Sequence, residues 1–476
     1  MAEPTNLKKS EATDQDLKIG ILNPEAVTIE DDDGSVTIDF DPNNQDAQAS
    51  FNDNLAEYME DDELNNLGSE IISMYEEDRN SRSDWEDAYI NGLDLLGVKN
   101  EERSVPFDGA TGVTHPILNE ATIRFVSQAM MELFPSSGPV KASIIGKSSP
   151  ERLAQAQRVQ DYMNYLLTEE IEQYRPDTEQ LLFQLALSGS AFRKVYYDPT
   201  HDRPESLFVP AEDFVVSYET TDLKNSSRFT HVMRKTDNFV RRMQLNGFYR
   251  DVDIGEPLGD SGEVQTKYSE LTGVTEVTES DIRIILETHV ELDLKGFEDR
   301  DESGKETGLQ LPYIVTVDES SGKVLSIRRN YLQEDPLKIA RQHFVHYKFQ
   351  PGLGFYGFGL IHLIGSIAKS STSILRQLID AGTLANLPAG FKARGLRIKG
   401  DDKPIEPGEF RDIDLPSGAI RDNILPLPFK EPSSTLAQLM GVLVDEGRRI
   451  ASIADMNIGE GNQEAPVGTT LALIER

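Results

Sequence analysis

The sequence predicts an α+β protein built around more than one core. Three observations predict it. Helical spacing of apolar residues fills residues 64–187, strand-like alternation fills about 190–350, and after 352 two long helical stripes flank a Pro-rich insert. A chain of 476 residues also exceeds what one hydrophobic core ordinarily organises, so an elongated, multidomain subunit is expected.

The first 63 residues stand apart. Residues 1–64 carry eighteen Asp and Glu against Lys8, Lys9 and Lys18, a net of −15 out of −35 for the whole chain. Self-repulsion and few aromatic residues predict an acidic, disordered arm. Beyond it, Leu67, Ile71, Met74 and Tyr75, then Trp85, Ala88, Tyr89 and Leu93, repeat at three- and four-residue spacing. Pro116 opens a second helical run that stops at Pro135, Ser149-Pro150 starts a third, and a fourth covers Leu181 to Ala186.

The runs at 192–197, 281–290, 313–317 and 343–349 alternate β-branched or aromatic residues with polar ones and read as strands. A single helix, around Asn238 to Leu245, interrupts them. From Phe358 to Ala385 an apolar stripe (Leu360, Ile361, Ile364, Ile367, Leu375, Leu378) predicts a helix roughly 40 Å long, with Ser366, Lys369, Ser370, Ser371, Ser373 and Gln377 off the stripe. A second helix, from the Ser433-Ser434 cap through Leu439 and Leu443 to Ile453, would be roughly 30 Å long. The prolines between 404 and 432 space short strands into a small module carried by that helical pair.

Composition excludes several function classes. A pI of about 4.6 does not suit counterion-release binding to DNA, which needs clustered Lys and Arg. With no cysteine there is neither a disulfide framework nor a thiolate metal site. No apolar run is long enough to span a bilayer, and the N-terminus lacks the basic-then-apolar pattern of a leader. A soluble protein of a reducing compartment is expected, with no membrane partner.

Three motifs suggest enzymes. Gly146-Lys147-Ser148 has the tail of a phosphate-binding loop between a strand-like run and a helix, but Lys141 stands where the loop needs its first glycine. Gly352-Leu-Gly354-Phe-Tyr-Gly357 spells a dinucleotide fingerprint, yet no second parallel strand follows, and Asp380 falls inside a helix rather than at a strand end. The alternative is a strand-to-helix corner with close backbone packing. The seven histidines form no His-x-x-x-His or Glu-x-x-His pair, and His343 and His346, three apart in a strand, should face opposite ways. No catalytic residue, metal ligand or cofactor is assigned; a nucleotide- or dinucleotide-dependent enzyme using the Gly352–Gly357 turn stays as the alternative function.

Several runs share an order and spacing with a known family. Val209 to Tyr218, Thr221-Asp-Leu, Arg228-Phe-Thr-His231 and Gly189 to Asp198 resemble the middle of portal proteins from short-tailed, double-stranded DNA bacteriophages. His115 to Glu120 and Ala129 to Pro135 are similar to the early helical part of that family; Gly354 to Gly359 leading into Leu375-Arg-Gln-Leu-Ile-Asp-Ala381 resembles the start of its first stem helix, and Ala465 to Thr470 the end of its tunnel loop.

The resemblance implies a portal fold and a ring of about twelve copies at one capsid vertex of the virion, assembled in the host cytoplasm. It divides the chain into a wing at 64–355, stem helices at 356–388 and 433–456, a clip at 389–432 and a tunnel loop at 457–468. Stem packing between copies would use Ile364, Ile367, Leu375, Leu378, Leu439 and Leu443. Double-stranded DNA would pass through the channel against Lys392, Arg394, Arg397 and Lys399 and the loop residues Glu460, Asn462, Gln463 and Glu464. Further implied partners are a terminase that hydrolyses ATP, the major capsid and scaffolding proteins, and tail adaptors. A smaller relative in role, the head-tail adaptor ring, is usually much shorter than this chain. Residues 469–476 still read as helix where the family continues into a crown, so either a crown follows or this member is short.

Overall fold

The computed structural model describes residues 49–198, 202–257, 262–273, 282–300, 305–386 and 429–459, together with six short strands outside those runs. In chain order the first strands are β1 (Val27–Glu30) and β2 (Val36–Asp39), followed by α1 (Asp61–Ser81), α2 (Ser83–Leu93), α3 (Ile117–Leu133), α4 (Pro150–Tyr165) and α5 (Tyr174–Ser188). Next come β3 (Ser190–Asp198), β4 (Arg203–Pro210), β5 (Phe214–Val215), β6 (Arg228–Thr236), α6 (Asp237–Leu245) and α7 (Glu263–Thr272). Then follow β7 (Ile282–Leu292), β8 (Leu311–Asp318), β9 (Val324–Arg329), β10 (Phe344–Lys348) and α8 (Leu360–Asn386). The last are β11 (Gly390–Lys392), β12 (Arg397–Ile398), β13 (Ile413–Asp414), β14 (Ile424–Pro426) and α9 (Ser434–Gly459). The fold class is α+β, and the chain divides into two compact units.

The first unit comprises residues 1–87, 190–269 and 274–357. Its larger sheet is an antiparallel meander, β5-β6-β7-β8-β9, and its smaller one runs β10-β3-β4. Along β8 the residues Tyr313, Val315 and Val317 are buried, and they meet Leu64, Leu67 and Ile71 of α1 in one apolar cluster. Leu55 and Ala56 join that cluster, and Asn54 fastens the segment to β9: its amide donates to the Leu325 carbonyl at 3.1 Å, and its Oδ1 accepts from the Ile327 N–H at 2.9 Å. The expected arm to residue 63 is therefore too long. Residues 49–63 belong to the core unit, because their acids lie mostly at exposed positions while Leu55 and Ala56 face inward. Upstream, β1 and β2 pair antiparallel, Val27 opposite Asp39. A second helix, α7, also interrupts the strand region; only Val264 anchors it among buried residues, which is too little periodicity to read from sequence.

The second unit comprises residues 88–189, 270–273 and 358–476. Its core is where α3, α5, α8 and α9 pack on one another. A Cβ on Gly447 of α9 would meet Ile117 of α3 at 2.6 Å and Ile367 of α8 at 3.2 Å, while one on Gly382 would meet Pro432 at 3.6 Å. Residue 447 thus lies beside 367 and 432 beside 382, so α8 and α9 run antiparallel. Each is about 40 Å long. The helix α9 extends through Gly459, so the expected loop start at 457 is wrong by three residues. Helix α4 begins where its signals place it, with Ser149 Oγ accepting from the Arg152 N–H at 3.3 Å and Pro150 in the first turn, but none of its side chains is buried.

Candidate functional site

The chain between α8 and α9 forms two strand pairs nested in one another. In the outer pair, β11 runs antiparallel to β14, with Lys392 opposite Ile424; in the inner pair, β12 runs antiparallel to β13, with Arg397 opposite Asp414. Lys392 and Arg397 therefore sit on two separate ribbons. Arg394 and Lys399 lie outside the described residues, as do Glu460, Asn462, Gln463 and Glu464.

The helical pair divides its apolar residues between covered and uncovered positions. Ile364 is fully buried in the single chain; Ile367, Leu375, Leu378 and Leu443 are half-buried; Leu439 is 46% exposed and its neighbour Val442 65%. Ile364 consequently offers no surface to a second copy, which corrects its expected role between subunits. The polar side of α8 is as expected at Ser366, Lys369, Ser370, Ser373 and Gln377, all exposed, while Ser371 is buried.

A cleft of 960 Å³ runs beside α8 and is lined by Asn91, Glu101, Arg103, Lys369, Arg376 and Asp380 among others. Its charges are largely paired within the unit. The Arg376 Nε donates to the Val113 carbonyl at 2.8 Å and its Nη1 to Glu101 at 2.9 Å. Asp380 accepts from the Thr111 N–H at 2.8 Å and pairs with Arg103 at 3.5 Å. The charged residues of the run 375–381 thus clamp the 101–114 loop, and Asp380 is already engaged where a ribose-binding acid would have to be free.

The Gly352–Gly357 turn is filled by the protein itself. A Cβ on Gly352 would lie 2.1 Å from the Tyr356 carbonyl oxygen, and one on Gly354 would lie 2.6 Å from the Tyr218 ring. Phe355 and Tyr356 are both buried in an aromatic cluster with Trp85, Phe192, Phe214 and Phe344. The glycines serve close backbone packing, and the space a pyrophosphate would occupy holds side chains. The other phosphate-loop candidate fares no better: residues 140–145 form no strand. They lie along α4, where the Val140 and Ala142 N–H groups donate to Asn164 at 2.8 Å and Gln160 at 3.1 Å.

The most concentrated chemistry in the first unit went unforeseen in the sequence. Lys194 of β3 donates to both carboxylate oxygens of Glu287 on β7 at 2.6 Å. His289 lies 3.3 Å from the same carboxylate, Asn330 lies 3.4 Å from His289 Nδ1, and the far oxygen of Asn330 is 3.1 Å from His343 Nε2. His231 faces Glu287 across the β6–β7 ladder, and its buried Nδ1 meets no partner among the described residues. Burial acts against the Glu287 charge, yet Lys194 and then the histidines hold its carboxyl well below the usual range. Burial pulls His231 down to about 3 and His343 to about 4, and it lowers His289 as well. His346 turns elsewhere, stacked on Phe192 with ring centroids 4.4 Å apart and 3.1 Å from Ser190 Oγ.

A second cluster surrounds Arg82. Its guanidinium, 2% exposed, donates to the carbonyls of Ala211, Glu212 and Phe214 and to the Tyr356 hydroxyl, all within 3.0 Å. Burial, with Asp213 adding to it, pushes the nearby Glu212 carboxyl up to about 7, and the Tyr268 hydroxyl donates to it at 2.8 Å. Among the described residues no group of His, Asp and Glu side chains has the arrangement to hold a metal, and no helix is long and apolar enough to cross a membrane.

No protein-family model matches the chain, and no curated protein matches it.

Proposed function

We propose that the chain is the subunit of a phage portal: a ring with a portal fold at a capsid vertex, through which double-stranded DNA is packaged and ejected. The observation that carries this reading is the second unit's layout, two antiparallel helices of about 40 Å with nested strand pairs between them in the chain. That is the order stem, clip, stem. The sequence motifs from residue 115 to 470 support it by their order and spacing.

The charge supports the mechanism. A wall of net negative charge repels phosphates, so a duplex slides without being gripped, and a few cations at the strand module can steady it. Lys392, Arg394, Arg397 and Lys399 are the proposed cations, and Glu460 and Glu464 the proposed negative girdles. Terminase and later the tail adaptors would dock on the strand module, and capsid and scaffolding proteins would surround the ring.

Negative-stain images of the purified chain test the reading. Rings with an axial hole are expected. A monodisperse monomer at micromolar concentration, with or without scaffolding protein, would overturn it.

A further inference from the structure

In the first unit the two sheets meet across a cluster of phenylalanines and valines into which two histidines and a buried ion pair are set. Phe344 of β10 is the hub: His231 packs on it at 5.5 Å between centroids, His289 at 5.4 Å and Phe214 at 4.9 Å. Lys194 crosses from the smaller sheet to Glu287 of the larger one. We propose that this cluster is a proton-operated tie, which holds the five-stranded and three-stranded sheets together at neutral pH and lets them part locally when its imidazoles take up protons.

Burial opposes additional positive charge here, and the Glu287 carboxylate, which favours it, is already engaged by Lys194. Glu287 already accepts two bonds from Lys194 and one contact from His289. Two more cations act on the same place, Lys235 from β6 on Lys194 and Arg341, in the run into β10, on His343. The phenols Tyr196 of β3 and Tyr249 feel the Glu287 charge but are themselves neutral. A proton on His231 would rest on a buried ring whose Nδ1 meets no acceptor among the described residues, and one on His343 would face Arg341 and His289.

The folded imidazoles titrate below the ordinary value near 6.5, so the parted state binds more protons as pH falls beneath that value. The tie weakens from about pH 6.5 downward. Loss of the Glu287 charge at still lower pH acts in the same direction.

Trp85, the chain's single tryptophan, stacks on Tyr356 at 4.4 Å in the aromatic cluster that contains Phe344, so its fluorescence reports this interface. The full chain is titrated from about pH 7.5 to 4 by tryptophan fluorescence, near-ultraviolet and far-ultraviolet circular dichroism. A cooperative change in the first two is expected, with at least half the far-ultraviolet signal retained. In His231→Phe, which keeps the ring and removes its proton site, the midpoint should fall by about half a pH unit and the slope should lose about one proton. If that variant does not fold at neutral pH, His343→Gln is measured for the same shift. Coincident loss of all three signals, an unchanged core at about pH 4, or a variant midpoint equal to wild type each overturns the proposal.

Discussion

The Arg82 guanidinium donates to the Tyr356 hydroxyl at 2.9 Å, and that hydroxyl in turn donates to the Phe214 carbonyl at 2.9 Å. Trp85 stacks on Tyr356, and the same buried cation also donates to the carbonyls of Ala211, Glu212 and Phe214. Arg82→Met removes all of these donors at once. The expected cost is about 3 kcal/mol, read from urea denaturation followed at Trp85. Arg82→Lys should recover little of it, because one ammonium cannot fork to acceptors on both sides.

Gly352→Ala separates two readings of the glycine turn. As a packing element, the turn must shift its backbone to admit a Cβ 2.1 Å from the Tyr356 carbonyl, at a cost of about 2 kcal/mol in the same denaturation assay. As a dinucleotide site, the variant would keep its stability and lose ligand affinity. Isothermal titration with NAD and ATP should register no heat of binding in either protein.

Much of this was legible in the sequence wherever one local pattern decides the outcome. Ser149-Pro150 starts α4, and the stripe from Leu360 to Leu378 places α8 within two residues of its expected start and one of its end. Charge averaging failed at residues 49–63, because a net negative segment can still carry Leu55 and Ala56 on an inward face. The stripe also failed to say which neighbour covers Ile364, since periodicity gives a face and not its partner. The Lys194–Glu287 pair lay beyond reach. Its members are 93 positions apart, and its histidines come from different elements, so no spacing rule along one helix or strand brings them together.

Glu212 should respond to pH in the opposite sense to the histidine cluster. Burial and Asp213 raise its folded carboxyl from 4.5 to about 7. A raised carboxyl pKa contributes stability that is fully present below about 4.5 and lost as pH rises through about 7. Glu212→Gln keeps an acceptor for the Tyr268 hydroxyl and removes the titration. Its stability relative to wild type should therefore rise between about pH 5 and 8, by on the order of 1 kcal/mol at the upper end. Parallel stability curves for the two proteins across that range would show that Glu212 does not titrate there.

The helical pair offers the sharpest separation between folding and assembly. Ile364 is fully buried in the single chain, so Ile364→Asp places an unpaired carboxylate among α8's covered side chains. That variant should lose about 3 kcal/mol or more of subunit stability, and any loss of rings would follow from unfolding. Leu439 and Val442 are different: both lie on α9, 46% and 65% exposed, in a helix whose covered side already meets α8 and α3. A charge there costs the isolated subunit little, within about 0.5 kcal/mol, because water reaches it. In a ring of side-by-side stems the same charge would face a neighbouring stem and be buried with its copies. Leu439→Asp combined with Val442→Asp should therefore leave circular dichroism and the urea midpoint unchanged while shifting the size-exclusion profile from ring to monomer. Rings as abundant as wild type in that double variant would mean that this side of α9 faces solvent in the assembly, and the side-by-side packing of the stems would have to be abandoned.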